Sequence, residues 1–597
     1  AERPWSRSST PILLEGMDDL DGHSPAAVVG EGDGDPIFSS DVPQDATLAQ
    51  QRRHASSVIL ASVEDNHFLP WSLNRPRPSE VRALELWISE TFLGNDDGAQ
   101  RLAATAWIAL RTGRSLRRTL DMVVGPDCGE EWSVSPTGLT RLPARRDSGW
   151  RPEASATPWI RALALKHAIT FPSSISTALN RWRAERPGAS TLGELLDRES
   201  VLSRFGPAMK PIARRLTGGM LAQALPQALY AVSNDAIFSR LFCRHPNSGL
   251  PGAAAYPSWS GELFKILNSV GVPLASIEPL DGNALGSRLD PIESKLRLEV
   301  RDAGLRLQDA RRGGVIAFHN ALTAYIVVAL HAATGVRPVR AAFESQRDFD
   351  FKHHFVFVSD KQSGKARDGR LVPVPMALCD YIATVYLPYI QELGRWISAA
   401  GDYAFGERVR ALADRDANAS IPLFFSLRRD GDFLVWSPIS EHYIAQQGLF
   451  QWPLPLRHFR HRMATQLRRR GADSEVIDGL LGHSERGSAS YSDRSPRVWL
   501  DDITSIRRIL DQTFGDLGFA TVGLVPSPDL SELSGLRPAD ASRDRQQLFG
   551  RAERQANRLE RMRVAVESAR GIIKHTCGAR DLGALNADEL EDRKSVV

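Results

Sequence analysis

The sequence predicts a mainly α protein with a small β-hairpin or sheet, an α+β chain of several domains. Three observations carry this. Apolar residues recur at helical spacing along most of the chain, as at Val81, Leu84 and Trp87, which share one helix face. Pro and Gly recur between these runs, where they break helices. One pair of apolar, β-branched runs, Phe355–Val358 and Leu371–Val374, flanks a polar turn containing Gly, the pattern of a hairpin. At 597 residues the chain exceeds what one compact core holds, so several domains are expected.

Composition excludes little beyond extremes. The net charge of +3 does not by itself announce nucleic acid, so local patches must make that argument. The 4 cysteines, Cys128, Cys243, Cys379 and Cys577, lie far apart with no CxxC and no zinc spacing, and read as reduced thiols. The chain has no uninterrupted run of eighteen apolar residues, so no membrane span is expected. AERPWSRSST at the start lacks a secretory apolar region, and a cytoplasmic protein is expected.

Residues 1–50 are rich in Gly, Asp, Ser and Pro, with acids in EGMDDLDG and GEGDGD. Such a segment buries too little apolar surface to offset its ordering entropy, so a disordered acidic tail is expected. Residues 51–285 read as mostly helical. Pro78-Ser79-Glu80 starts one helix. Leu102–Met122 reads as a second, with Ala106, Ile108, Leu110 and Leu116 apolar and Arg111, Arg114, Arg117 and Arg118 basic. Residues 126–155 read as irregular. Further helices are expected at Trp159–Ile169, Ser174–Trp182, Thr191–Leu202 and Met209–Val232. The loop HPNSGLPGAAAYPSWSG then interrupts before a helix at Glu262–Val270.

Residues 286–515 read as the next domain. Ser294–Arg311 is a charged helix stopped by Gly313-Gly314, and Val315–Ala333 is an apolar helix for a core. It runs into Thr334-Gly335-Val336-Arg337. The hairpin follows, with Lys361 and Lys365 in its turn. Residues 376–450 read as helices and a further loop. LRHFRHRMATQLRRRGADSEVIDGLLGHSERGSASYSD, residues 456–493, opens with clustered cations. Two helices follow, Arg462–Arg470 and Ser474–Leu481, divided by Gly471 and an Asp473/Ser474 start. A last helix is expected from Pro496 to Phe514. Residues 516–541 read as a linker by their Pro, Ser and Gly. Residues 542–597 read as an Arg-rich C-terminal helix and tail. Leu548, Ala552, Leu559, Met562, Val566, Ala569 and Ile573 line one side of that helix, which suits either a partner or a DNA backbone.

The 456–493 stretch resembles the C-terminal half of the tyrosine recombinase, or phage integrase, family, whose pattern there is His-x-Leu-Arg-His, an Ala-Thr helix, Leu-Gly-His and then Tyr. Ala464-Thr465 anchors the match. It sets Arg460 on the family's second catalytic arginine, His483 on the Leu-Gly-His histidine and Tyr491 on the nucleophile. Thr334-Gly335-Val336-Arg337 resembles the Thr-Gly-Leu-Arg box, with Arg337 as the first catalytic arginine. The family carries its catalytic lysine in the hairpin turn, so Lys361 is favoured, with Lys365 as the alternative. Three departures stand out. Arg457 occupies the place of a usual histidine. Arg340 replaces a frequent acid. Eight residues separate His483 from Tyr491, about one fewer than is common.

The resemblance covers roughly residues 300–515. It implies an integrase-like catalytic domain at 286–515 and a helical DNA-binding region within 51–285, where an unassigned extension is also expected. It further implies a site-specific recombinase for integration or excision of a mobile element, acting through a covalent 3′-phosphotyrosine. The implied partners are double-stranded DNA and a homo-oligomer, a tetramer on paired sites, or partner recombinases, in a bacterial nucleoid. No cofactor and no metal is implied, because arginines supply the positive charge. A type IB topoisomerase-like enzyme and a non-catalytic DNA-binding partner are the rival readings.

Overall fold

The computed structural model describes residues 75–125, 132–135, 137–141, 152–162, 167–243, 252–259, 261–272, 285–338, 343–359, 369–414, 421–483, 497–520 and 530–538. The expected acidic tail, the hairpin lysines, Tyr491 and the Arg-rich C-terminal helix all lie outside these residues. What is described is mainly helical, with small sheets. The chain divides into two compact units. One holds residues 1–150, 162–255 and 259–286; the other holds 151–161, 256–258 and 287–597.

In the first unit, α1 (Pro78–Thr91), α2 (Asp97–Thr112) and α3 (Leu116–Leu120) lead into a four-stranded sheet of β1 (Val123–Val124), β2 (Trp132–Ser135), β3 (Gly138–Arg141) and β4 (His167–Thr170). Helices α4 (Ser173–Glu185), α5 (Leu192–Leu196), α6 (Arg198–Met209), α7 (Ala224–Ser233), α8 (Ala236–Cys243) and α9 (Gly261–Ser269) complete it. The core gathers Leu102, Trp107, Trp182, Phe238 and Phe242. The Trp182 indole N–H is satisfied by Asp97 Oδ1 at 2.7 Å.

Several expectations fail here for local reasons. The helix expected over Leu102–Met122 is two helices, because Gly113 turns left-handed at φ 65° and Ser115 caps the next helix through the Arg118 amide. Asp197, at φ 66°, likewise divides the helix expected over Thr191–Leu202. The run expected over Met209–Val232 is helical only from Ala224 to Ser233, after a 3-10 turn at Met220–Gln223. The stretch expected to be irregular contributes β2 and β3, and the helix expected over Trp159–Ile169 is a 3-10 turn, Thr157–Trp159, and then β4. Leu139 pairs with Ile169 in this sheet.

The second unit is built on α10 (Glu293–Ala310) and α11 (Val315–Thr334). Helix α11 is long and apolar enough to cross a membrane by composition, yet 89% of that stretch is buried, as a helix apolar all round requires. It starts at Gly314, φ 96°, where the Ile316 amide donates to Glu532 Oε2 at 3.1 Å. Leu533 and Leu536 are also buried. The 516–541 stretch, expected as a linker, is therefore packed where it is described.

The sheet of β5 (Phe349–Asp350), β6 (Phe355–Val358) and β7 (Arg370–Pro373) is antiparallel, with Phe355 opposite Pro373. It contains the expected hairpin. Helices α12 (Met376–Tyr381), α13 (Leu387–Ala399) and α14 (Tyr403–Arg410) follow. Then comes a hairpin the sequence reading missed, β8 (Phe425–Asp430) with β9 (Phe433–Pro438). Asn320 of α11 docks it by pairing both its amide groups with Leu427, at 2.8 and 2.7 Å. His319 donates to the Phe425 carbonyl at 2.9 Å and stays neutral, because burial pushes its pKa down to about 3. After α15 (Glu441–Gln446) come α16 (His458–Arg469) and α17 (Ser474–Leu480), then α18 (Trp499–Ser505) and α19 (Arg507–Gly515). The single helix expected over Pro496–Phe514 is thus two.

Candidate functional site

The site is built where α11 ends. Gly335 caps that helix at φ 61°, a conformation that disfavours side chains. A Cβ there would also sit 3.0 Å from Leu481 Cδ2 and 3.4 Å from Met463 Cβ. The Thr334-Gly335-Val336-Arg337 box is therefore pressed against α16 and the end of α17. Arg337 follows two residues on and is half-buried.

Helix α16 presents two arginines with opposite fates. Arg462 is buried and structural: its Nε lies 2.8 Å from Glu293 Oε1, and it donates to the Thr513 carbonyl at 2.9 Å. Arg460 is 1% exposed. It donates to the Gly335 carbonyl at 3.1 Å and to the Leu481 carbonyl. Its Nη2 also meets His483 Nε2 at 2.9 Å. Arginine only donates, so His483 accepts there and holds no proton on Nε2 in this arrangement. The Leu481-Gly482-His483 turn needs its glycine, which sits at φ 68° with Arg370 Nη1 2.8 Å from where a Cβ would lie.

Arg370 begins β7 and donates from Nε to the Leu480 carbonyl at 2.9 Å. The hairpin strand thus enters beside the histidine turn. The Trp499 indole donates to the Leu371 carbonyl at 3.1 Å, which ties α18 to the same strand. Across the undescribed 484–496 segment, Arg497 binds Asp473 at 3.0 Å, Asp502 at 2.9 Å and Glu475 at 2.5 Å. Although burial opposes it, Asp502 and Asp473 raise its pKa above the usual arginine value.

The remaining cations are distributed differently. Arg457 is half-buried at the N-terminus of α16. His458 turns into the core, fully buried against Trp452 at 5.2 Å, with its Nδ1 on the Pro455 carbonyl at 2.8 Å. Burial pushes its pKa down to about 3. His461 bonds Ser287 Oγ through Nδ1 at 2.6 Å. Burial first, then Arg457 and Arg460, hold its pKa well below the usual histidine value.

The structure therefore brings together the Arg337 box, Arg460 and His483, with Arg457 on the same helix as Arg460. Lys361, Lys365, Arg340 and Tyr491 lie outside the described residues. Sequence reasoning missed Arg370, Ser287 and Tyr256, whose ring lies over Arg460. Arg370 had a signal, as a cation at the start of a strand already assigned to the hairpin. Tyr256 and Ser287 had none, since only folding brings them to α16. Among the described residues no group of three or more His, Cys, Asp or Glu is placed to hold a metal ion. The chain matches no protein-family model, no curated protein and no solved structure.

Proposed function

We propose that this chain is a DNA strand transferase of the tyrosine-recombinase type, cutting and rejoining duplex DNA. The observation that most supports this reading is Arg460, whose guanidinium spans the Gly335 carbonyl and His483 Nε2. Two boxes far apart in sequence meet a third through one cation, and these are the three boxes the resemblance rests on.

In this reading the Tyr491 oxygen attacks the scissile phosphorus, and the bond to the 5′ oxygen breaks. The product is a 3′-phosphotyrosine and a free 5′ hydroxyl, and reversal against another 5′ hydroxyl rejoins the strand. Arg337 and Arg460 stabilise the non-bridging oxygens as charge grows. Lys361, or Lys365, protonates the leaving oxygen. His483 donates to the phosphate, and His483 or water takes the proton that the Tyr491 phenol gives up. Arg457 holds phosphate and moves no proton, since arginine stays charged. The helical region ahead of residue 286 clamps duplex DNA, and copies of the chain, or partner recombinases, assemble on paired sites in a bacterial nucleoid.

A nicked suicide duplex tests this, because loss of the cleaved end blocks religation. The expected product is a protease-resistant protein–DNA adduct that Tyr491→Phe removes. A second reading, a DNA-binding partner that does not cut, is favoured by Arg457 standing where the family has a titratable histidine. Binding of the duplex without any adduct selects that reading.

A further inference from the structure

Tyr256 comes from the loop that interrupts the upstream helices, and the strand-transfer scheme does not use it. The backbone of the two residues after it is pinned. The Ser258 amide donates to Thr465 Oγ1 of α16 at 3.0 Å, and the Ser287 amide donates to the Pro257 carbonyl at 2.9 Å. Next to these anchors the ring lies over the Arg460 guanidinium, with the arginine Cζ 4.7 Å from the ring centroid. The same ring is 4.9 Å from the His483 ring and 4.8 Å from the His461 ring. His461 is in turn fixed by Ser287.

We propose that Tyr256 is a positioning residue, whose ring face holds Arg460 and His483 in the orientation from which they meet the scissile phosphate; this rests on the strand-transfer reading. A guanidinium bonds through its edge and stacks through its face. Part of the edge of Arg460 bonds Gly335, Leu481 and His483. The face is where an aromatic ring contributes, by attraction between the cation and the ring quadrupole. With the ring gone, the guanidinium and the imidazole are free to tilt, and misplacement on the scale of an ångström slows chemistry steeply while leaving ground-state binding nearly intact. The phenol oxygen plays no part in this role, so the ring alone carries it.

The test compares Tyr256→Phe with two non-aromatic variants, Tyr256→Leu and Tyr256→Met, the latter filling more of the ring's volume. Tyr256→Phe is expected to form adduct on the suicide duplex within about threefold of wild type. Tyr256→Leu and Tyr256→Met are expected to slow adduct formation at saturating protein at least about twentyfold, with affinity for uncut duplex within about threefold. Equal activity in all three variants overturns the proposal. So does equal loss in all three, which would move the role to the hydroxyl. An adduct that survives Tyr491→Phe and is lost in Tyr256→Phe would make Tyr256 the nucleophile and end both assignments.

A second readout needs neither DNA nor activity. In histidine-labelled protein, the His461 and His483 ring resonances carry the ring current of Tyr256. They are expected to move in the Leu and Met variants and to stay in Tyr256→Phe. If wild type forms no adduct, the strand-transfer reading fails while these resonances still decide whether the ring contacts both histidines. Unmoved resonances in a folded Leu or Met variant overturn the placement itself.

Discussion

Arg460 reaches back across 125 residues of chain to donate to the Gly335 carbonyl at 3.1 Å. This bond joins the first arginine box to the second. It also explains why both sides are constrained: Gly335 must be left-handed, and Arg460 must be a fork.

The first prediction concerns Tyr491. Replacing it with Phe removes only the phenol oxygen. Covalent attachment to suicide DNA is expected to vanish while duplex affinity stays within a few-fold. A protease-resistant adduct at normal yield would sink its assignment as nucleophile.

Arg337→Ala and Arg460→Ala are each expected to slow cleavage at least about a hundredfold, the scale of losing one preorganised donor to a developing oxyanion. Arg460→Lys is not expected to rescue, because an ammonium cannot span Gly335, Leu481 and His483 together. Arg460→Ala also strips the Gly335 and Leu481 carbonyls of a buried donor, at about 1–3 kcal/mol for each group left unsatisfied. Adduct rates are therefore measured on protein shown to be folded by its circular dichroism. Cleavage within about threefold of wild type would break the box assignment.

Gly335→Ala tests the junction itself. The added methyl meets Leu481 at 3.0 Å in a left-handed backbone. The expected loss is about 1–3 kcal/mol of stability, read from urea denaturation. An unchanged midpoint would mean that the junction relaxes freely.

Asp290 makes a pH prediction. It is 1% exposed, and burial raises its carboxyl pKa to about 6, although Arg469, Arg161 and Ser258 pull the other way. The unfolded carboxyl loses its proton nearer pH 4, before the folded one does. Stability from this group is therefore present below about pH 4 and is lost as pH rises through about 6. The size is about 3 kcal/mol, from a shift of about two pH units at 1.36 kcal/mol each. Asp290→Asn is expected to flatten this decline in urea denaturation between pH 4 and 7. A mutant that keeps the wild-type slope assigns the decline to another group.

Arg457→His places a titratable group where arginine now stands. Substantial cleavage is expected to remain, with an added or shifted ionisation near pH 6–7 in the pH–rate profile. Arg457→Ala is expected to cost more than Arg457→Lys, because the charge is lost. If Arg457→Ala cleaves like wild type while a folded His458→Ala does not, the register of the box is off by one.

The sequence by itself determined the mainly helical class, the buried α11 helix, the β6–β7 hairpin and the order of the arginine, histidine and tyrosine motifs. Each is local: a period of 3.6, a pair of β-branched runs, a glycine stop. It also fixed that Gly335 ends a helix, since a glycine after a long apolar run is a strong stop signal. Tertiary structure decided the rest. Of two arginines two residues apart on α16, Arg462 is spent on Glu293 and the Thr513 carbonyl, whereas Arg460 faces Gly335 and His483. The helical period puts them on opposite faces and the resemblance singles out Arg460, but what packs against each face is decided only by the fold. The β8–β9 hairpin was missed although its signal is local, a two-residue Gly431-Asp432 turn with Gly431 at φ 62° between two apolar runs; what only the fold decides is its docking on Asn320, more than a hundred residues upstream. Tyr256 is held at the site through the two residues after it, whose backbone bonds Thr465 and Ser287. Long-range pairing of this kind leaves no period in the chain, and only the folded packing reveals it.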